Sequence, residues 1–435
     1  MAKLAYVGMA VLLVAIGCHP RLNTRRMERQ AAKNKNYQSS FHGLAVYDLA
    51  TERYLVEYNS KKYFTPASNT KLFTFYAGLQ LLGDSIPALY YLQRNDSLII
   101  WGTGDPTQLH PALKNDAIIT FLKQTQSNIY LSTTNFSDEP LGEGWAWNDY
   151  LYSYQPEKSA LPLYGNCVRL VKNDTRVAIN PRFFSSLFVP EKNMPTPIAR
   201  GIADNCFRYN PASLKEEEIP FHVSAELIAQ LLADTLKKPV HCVAVPLPEN
   251  RQWQTLWGMP AESLYRLMLQ ESDNFLAEQT LLLCAGRLSE GNFTLRSDKV
   301  ISYLLKNQLA DLSDKPRWVD GSGLSRYNLF TPRSYVELLR KIYRQIATDS
   351  VGEQRLFSLL PQAGKSGTLR NIKVYPPSVY AKTGTLSNNH NLSGFLITRS
   401  GKRLIFSYMN NHFTIPTATI REEMGKILWQ LYEQY

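Results

Sequence analysis

Three short stretches, far apart in the chain, are chemically complementary, and the need to bring them together constrains the fold more than any compositional figure. The first is Pro66-Ala67-Ser68-Asn69-Thr70-Lys71, the only Ser-x-x-Lys in the 435 residues. It heads an apolar helical run from Leu72 to Leu82. Residues three apart share one helix face about 5–6 Å from each other, so the Ser68 hydroxyl and the Lys71 amine can meet. Pro66 suits a helix beginning, whose partial positive charge favours an oxyanion beside Ser68. The second stretch, Ser272-Asp273-Asn274, falls between two helical runs, and the third, Lys382-Thr383-Gly384-Thr385, lies on a strand-like run. Ser68 and Ser272 are 204 residues apart, so enough chain for another domain separates the two.

The residue types explain why these stretches belong together. A serine hydroxyl is a weak nucleophile and needs a base to take its proton. Lys71 can be that base when burial and a neighbouring cation, Lys382, lower its pKa. Ser272 can relay a proton to a departing amine, and Asn274 can orient Lys71 and a substrate amide. An extended peptide can pair with the strand edge from Lys382 through Gly384 to Thr385 as an added strand. Lys382 with the Thr383 and Thr385 hydroxyls offers a seat for a terminal carboxylate, and the backbone N–H groups of Ser68 and Thr385 can form an oxyanion hole. Two decoys are set aside by context. Ser387-Asn388-Asn389 directly follows the third stretch and reads as its turn, and Lys365-Ser366-Gly367 follows Gly364 without a strand before it.

The N-terminus reads as a targeting segment. Lys3 precedes a short apolar run, Leu4 to Ile16, which ends in Ala15-Ile16-Gly17-Cys18. The run is too short for a membrane-spanning helix. It resembles a bacterial lipobox, which makes residues 1–17 a signal peptide and Cys18 a lipidation site holding the protein at a membrane outside the cytoplasm. An ordinary secretory signal with a chance cysteine is the alternative. Of the formal charge of +11, residues 19–36 contribute +5, with six basic residues against Glu28 alone. Residues 18–40 therefore read as a basic tether beside anionic headgroups. Nucleic acid is not expected as a partner, since no binding motif accompanies the charge. Cys167, Cys206, Cys242 and Cys284 can pair in three ways, and the sequence favours none. Cys284 sits in an apolar run and reads as a small core hydrophobe. No cysteine or histidine spacing suggests a metal, and no cofactor is expected.

Strand-like runs lie at both ends of the folded chain, with helical runs between. Leu44–Leu49 and Tyr54–Tyr58 form one hairpin, and Val379–Leu386, Leu392–Arg399 and Arg403–Asn410 follow near the C-terminus. Together they predict a five-stranded antiparallel sheet flanked by helices, in the α+β class. Residues 86–246 break into short β-like runs and read as a β-rich insertion, so the sheet domain comprises 41–85 and 247–435. The aromatic crowd Trp145, Trp147, Tyr150, Tyr152 and Tyr154 reads as core of that insertion, with direct ligand contact as the alternative.

Ser-x-x-Lys, Ser-Asp-Asn and Lys-Thr-Gly in this order mark class A β-lactamases and penicillin-binding proteins. From about Phe41 onward the chain resembles the D-alanyl-D-alanine carboxypeptidase/endopeptidase family of low-molecular-mass class C penicillin-binding proteins, the penicillin-binding protein 4 type. The resemblance includes Gly104-Asp105-Pro106-Thr107, Gly144-Trp145-Ala146-Trp147, Ser159-Ala160-Leu161 and Asp320-Gly321-Ser322-Gly323-Leu324-Ser325-Arg326. The 204-residue gap matches that family's insertion and not the closer motifs of a class A β-lactamase. The resemblance implies a serine β-lactamase/DD-transpeptidase-like domain and a DD-peptidase. Such an enzyme would cleave D-Ala-D-Ala termini or D-Ala–diamino acid cross-links of peptidoglycan stem peptides through a Ser68 acyl-enzyme, with β-lactams as covalent inhibitors. Family members hold the substrate's free amine in the inserted region, where Asp149 is the candidate contact; a capping or surface carboxylate is the alternative. Asn388-Asn389-His390-Asn391 departs from the family pattern in its polarity. A β-lactamase or esterase on the same fold, or a catalytically silent wall-binding lipoprotein, would use the same scaffold.

Overall fold

The computed structural model describes residues 21–173, 176–248, 252–288 and 294–435. The expected signal peptide and Cys18 lie outside the described residues. Helix α1 (Thr24–Lys33) opens the described chain, capped by Asn23, whose Oδ1 accepts from Arg26 N–H. Strands β1 (Phe41–Asp48) and β2 (Arg53–Tyr58) form the expected hairpin. A single 3₁₀ turn, Ala67–Thr70, then leads into helix α2 (Lys71–Leu81).

The inserted region contains β3 (Ser85–Arg94), β4 (Ser97–Gly102), helix α3 (Ala117–Gln124) and β5 (Asn128–Ser132). It continues through β6 (Cys167–Asn173), β7 (Arg176–Asn180), β8 (Phe188–Pro190), β9 (Ile198–Arg200), β10 (Phe207–Tyr209) and β11 (Glu216–Pro220). Helix α4 (Ala225–Leu236), β12 (Val240–Cys242) and β13 (Gln254–Pro260) complete it. Its main sheet runs β12-β5-β4-β3-β13, and two three-stranded sheets, β8-β10-β9 and β11-β6-β7, accompany it. The expected boundary at 246 therefore falls short, because β13 pairs with β3 and carries the insertion's sheet to Pro260. The insertion is also less purely β than its short runs suggested. Helix α4 is capped by Ser224, and Leu227, Ile228, Leu231 and Leu232 seal its inner face against the sheet.

The chain returns through α5 (Ala261–Gln270), α6 (Asn274–Leu288), α7 (Ser297–Lys306), α8 (Pro332–Ile346) and α9 (Ser350–Leu359). Strands β14 (Val379–Leu386), β15 (Asn389–Ile397) and β16 (Arg403–Asn411) follow, then α10 (Thr417–Gln434). The expected five-stranded antiparallel sheet forms in the order β14-β15-β16-β1-β2. Alternate residues along each strand face opposite sides. Ala45, Tyr47, Ile405 and Met409 pack toward α2 and α8, whereas Leu44, Val46, Leu404 and Phe406 pack toward α1 and α10. With both faces covered, the central strands are buried almost throughout.

The expected tether is corrected from Leu22 onward. Leu22, Met27, Ala31 and Tyr37 are buried against α10 and the sheet. Leu22 N–H donates to Gln434, Asn34 to Glu423, and Glu57 N–H donates to Thr24 Oγ1, which anchors α1 beside β2. Arg21, Arg25, Arg29, Lys33 and Lys35 remain exposed, so the same segment keeps a basic outer face. Composition hid an apolar stripe at helical spacing. Among the described residues no helix is long and apolar enough to cross a membrane.

Truncating a methionine sealed in such a core leaves a cavity and costs about 2–4 kcal/mol. Met27→Ala is therefore expected to lower the urea midpoint by that equivalent; a change under about 0.5 kcal/mol would fit a free tether instead.

Candidate active site

Three elements converge beneath β14, which is an edge strand of the main sheet. Ser68 stands on the 3₁₀ turn and Lys71 opens α2, so the i,i+3 pair is stacked more closely than an α-helix alone would make it. Lys71 is completely buried and Ser68 half-buried. The Lys71 Nζ reaches Ser68 Oγ at 2.9 Å, Asn274 Oδ1 at 2.6 Å and the Ser322 carbonyl at 2.8 Å. Burial lowers Lys71 to a pKa of about 8, against the opposing pull of Asp273, Asp320 and Glu278. A charged ammonium satisfies all three oxygens as a donor. A neutral amine still donates to the amide and carbonyl, and its lone pair then accepts the Ser68 proton.

Ser272 occupies a left-handed turn, φ 62°, immediately before α6, and the Asp273 carboxylate caps that helix at Leu276 N–H. This turn aims Ser272 at Lys382, whose Nζ donates to Ser272 Oγ at 2.8 Å and to the Thr383 carbonyl at 3.0 Å. Lys382 is also fully buried, and burial first, then the Lys71 charge, lowers its pKa well below an ordinary lysine's. All five expected catalytic side chains are thus joined: Ser68, Lys71 and Asn274 in one hydrogen-bonded group, Ser272 and Lys382 in a second beside it. Ser68, Ser272, Thr383 and Thr385 line a shared cavity of 240 Å³.

Two glycines set how closely the elements approach. A Cβ on Gly384 would lie 2.3 Å from the Pro66 carbonyl, so only glycine lets β14 pass over the serine turn. Gly323, at φ 86°, would place a Cβ 1.9 Å from the Ala67 carbonyl. The loop from Asp320 to Arg326 is itself fastened by carboxylates. Glu278 accepts from Gly321 and Ser322 N–H, while Asp320 accepts from Gly323 and Ser325 N–H and from Asn328. Burial, then Asp320, raises Glu278 to about 7. The Ser322 carbonyl, the third acceptor for Lys71, carries no signal in the sequence: the stretch Asp320 to Arg326 marks the resemblance, but which of its carbonyls meets Lys71 depends on how the loop folds.

The insertion contributes the cleft rim. Trp145 Nε1 donates to Asp320 at 2.9 Å, and Gln279 of α6 binds Gly104 and Ser159. Tyr152 and Tyr154 stack in parallel, 5.2 Å apart, and both are exposed, as is Trp147. The expectation that this aromatic crowd forms a domain core is therefore corrected: Trp147, Tyr152 and Tyr154 are exposed, Trp145 and Tyr150 are half-buried, and Tyr152 and Tyr154 line an opening. Asn274 Nδ2 donates to the Tyr154 carbonyl, and the Asp149 carboxylate lies by the Tyr154 hydroxyl. Asp149 makes no contact with Ser68 or either lysine. A larger cavity of 830 Å³ opens beside the tyrosines, walled by Arg169 and Glu216 to Glu218. Of the decoys, Ser387-Asn388 forms the β14–β15 turn, and Gly367 begins a 3₁₀ turn that brings Thr368 Oγ1 within 2.8 Å of Thr383 Oγ1. The four cysteines among the described residues are free, with Cys167 and Cys284 buried.

The chain is 24% identical over 443 residues to D-alanyl-D-alanine carboxypeptidase DacB of Haemophilus influenzae, covering 90% of each. It is 26% identical over 438 residues to a D-alanyl-D-alanine carboxypeptidase of Actinomadura sp., covering 87% of this chain and 79% of that one. The crystal structure of penicillin binding protein 4 from H. influenzae superposes with a TM-score of 0.73 at 22% identity, over 91% of this chain and 97% of that one. The H. influenzae protein has also been solved complexed with a β-lactam. Residues 24–178 and 212–431 match the D-Ala-D-Ala carboxypeptidase 3 (S13) family, and the chain belongs to that family of serine-type DD-peptidases.

Proposed function

We propose that Ser68 is the nucleophile of this DD-peptidase and that neutral Lys71 is its base. The observation that carries the assignment is the desolvated Lys71 amine, 2.9 Å from Ser68 Oγ. As the Ser68 proton moves to Lys71 Nζ, Oγ attacks the penultimate D-Ala carbonyl carbon. The Ser68 and Thr385 amides receive the oxyanion, worth about 10²–10³ in rate per donor in such sites. Collapse breaks the C–N bond, and Ser272, held by Lys382, passes a proton to the departing amine. Water then attacks the acyl-enzyme, releasing the shortened peptide and restoring the Ser68 hydroxyl. Asn274 fixes Lys71 on one side and the rim at Tyr154 on the other, which supports a role in orienting the substrate amide.

The substrates are D-Ala-D-Ala stem-peptide ends and D-Ala–diamino acid cross-links. The 830 Å³ cavity supports this reading, since it offers room and negative charge for the amine-bearing part of the peptide. Tyr154 lines that cavity, and Asp149, whose carboxylate lies by the Tyr154 hydroxyl, is the contact we assign to the amine. Covalent inhibition by β-lactams follows from the same serine, and the relative solved complexed with a β-lactam agrees with it. Lipidation at Cys18 would place the enzyme at the envelope membrane with its substrate, and the exposed basic face of α1 suits anionic headgroups beside that anchor.

Purified protein should be labelled by a fluorescent penicillin. Ser68→Ala should abolish the label, and a labelled variant would mean another nucleophile. Lys71→Ala should slow acylation by about 10²–10⁴-fold, as loss of a general base does. Because the deprotonated lysine is the active form, acylation should climb with pH. With the Lys71 pKa near 8, the rise is roughly tenfold between pH 7 and 9, levelling above that range. A flat profile would exclude Lys71 as the base. Mass spectrometry of muropeptides from treated sacculi should show loss of terminal D-Ala or of dimers; unchanged pentapeptides and dimers would contradict the substrate assignment.

A further inference from the structure

The leaving group of either reaction carries a carboxylate next to the scissile amide, and the structure raises the question of which cation receives it. Lys382, expected to share the carboxylate seat with the two threonines, is turned inward instead. It is fully buried, and its Nζ donates to Ser272 and to the Thr383 carbonyl. The threonine hydroxyls are neutral. The 240 Å³ cavity lined by Ser68, Ser272, Thr383 and Thr385 is also lined by Arg421, from α10, and by His390, from β15. Arg421 has no carboxylate partner among the described residues. A guanidinium is a permanent cation with a planar fork suited to a carboxylate.

His390 supplies the second observation. It sits opposite Thr385 in the β14–β15 ladder, and its Nδ1 lies 2.8 Å from Thr385 Oγ1. The ring is 1% exposed, and its Nε2 is buried without a partner. Burial, reinforced by Arg421, lowers its pKa to about 3, so the ring is neutral. Nε2 has no acceptor for a hydrogen, so the single N–H of the neutral ring belongs on Nδ1, where it donates to Thr385 Oγ1. The Thr385 hydroxyl then accepts from the ring, and its own hydrogen points away from it, free for a ligand. Thr383 differs, because its hydroxyl is shared with Thr368.

We propose that Arg421 is a specificity-determining residue that pairs with the carboxylate of the departing D-amino acid, and that His390 is a positioning residue that turns the Thr385 hydroxyl toward the same group. This rests on the DD-peptidase reading of Ser68 and adds the origin of its demand for a free carboxylate. It also gives a role to the polar run after the Lys-Thr-Gly strand.

The test compares two peptides with the same acyl part, one ending in D-Ala-D-Ala and the other in D-Ala-D-alaninamide, in which the charge is removed. Wild-type hydrolysis of the first peptide tests the parent reading on its own. The ratio of kcat/KM for acid over amide tests Arg421, and it cancels any inactive fraction in a preparation. Arg421→Gln should reduce that ratio about 10- to 100-fold, the range for a charge-assisted contact, and Arg421→Lys should recover part of it. His390→Leu should reduce the ratio less, and His390→Asn, whose amide N–H can take the place of Nδ1–H, should restore it. A ratio unchanged in Arg421→Gln, whether both substrates slow equally or neither does, overturns the role of Arg421. Equal ratios in the His390 variants and wild type overturn that of His390.

Discussion

A lysine amine shut away from water is the feature on which the rest of this site depends. In solvent, an ammonium beside a serine would leave the hydroxyl inert. Enclosed by Ser68, Asn274 and the Ser322 carbonyl, Lys71 loses enough hydration to hold its proton weakly, while three nearby carboxylates stop the shift from running further. The expected help from Lys382 is not found at Lys71: burial is what lowers that amine, and it is the Lys71 charge that helps to lower Lys382. Each amine has a separate hydroxyl to serve, Ser68 for one and Ser272 for the other.

Keeping water out requires backbones to approach without side chains between them. Gly384 and Gly323 meet that need from opposite sides of the serine turn, with the Pro66 and Ala67 carbonyls in the space a Cβ would fill. The Lys-Thr-Gly glycine is therefore a contact requirement as much as a motif letter. The insertion completes the enclosure. Its tryptophan at 145 ties the rim to Asp320, and Gln279 binds two of its loops to the helix that presents Asn274.

What could be read from the chain follows from how each relation is made. Ser68 and Lys71 are paired by local helical spacing, and the sheet by alternating strands, so both were legible. Thr385 and His390 were legible in principle, because a two-residue turn at Ser387-Asn388 fixes their cross-strand register. Arg421 was not, since only the docking of α10 brings it to the cavity. Basic composition disguised α1 as a tether, although Leu22, Met27 and Ala31 mark a buried stripe. The exposed tyrosines were misread because aromatic crowding signals a core and a cleft equally well.

The central claim concerns one proton, and the most direct measurement is of that proton. Heteronuclear NMR of lysine side chains, with the Lys71 signal assigned by its disappearance in Lys71→Arg, would follow its ionisation in the free enzyme. The account predicts a midpoint near 8. A midpoint at or above about 10, the range of an unperturbed lysine, would contradict it.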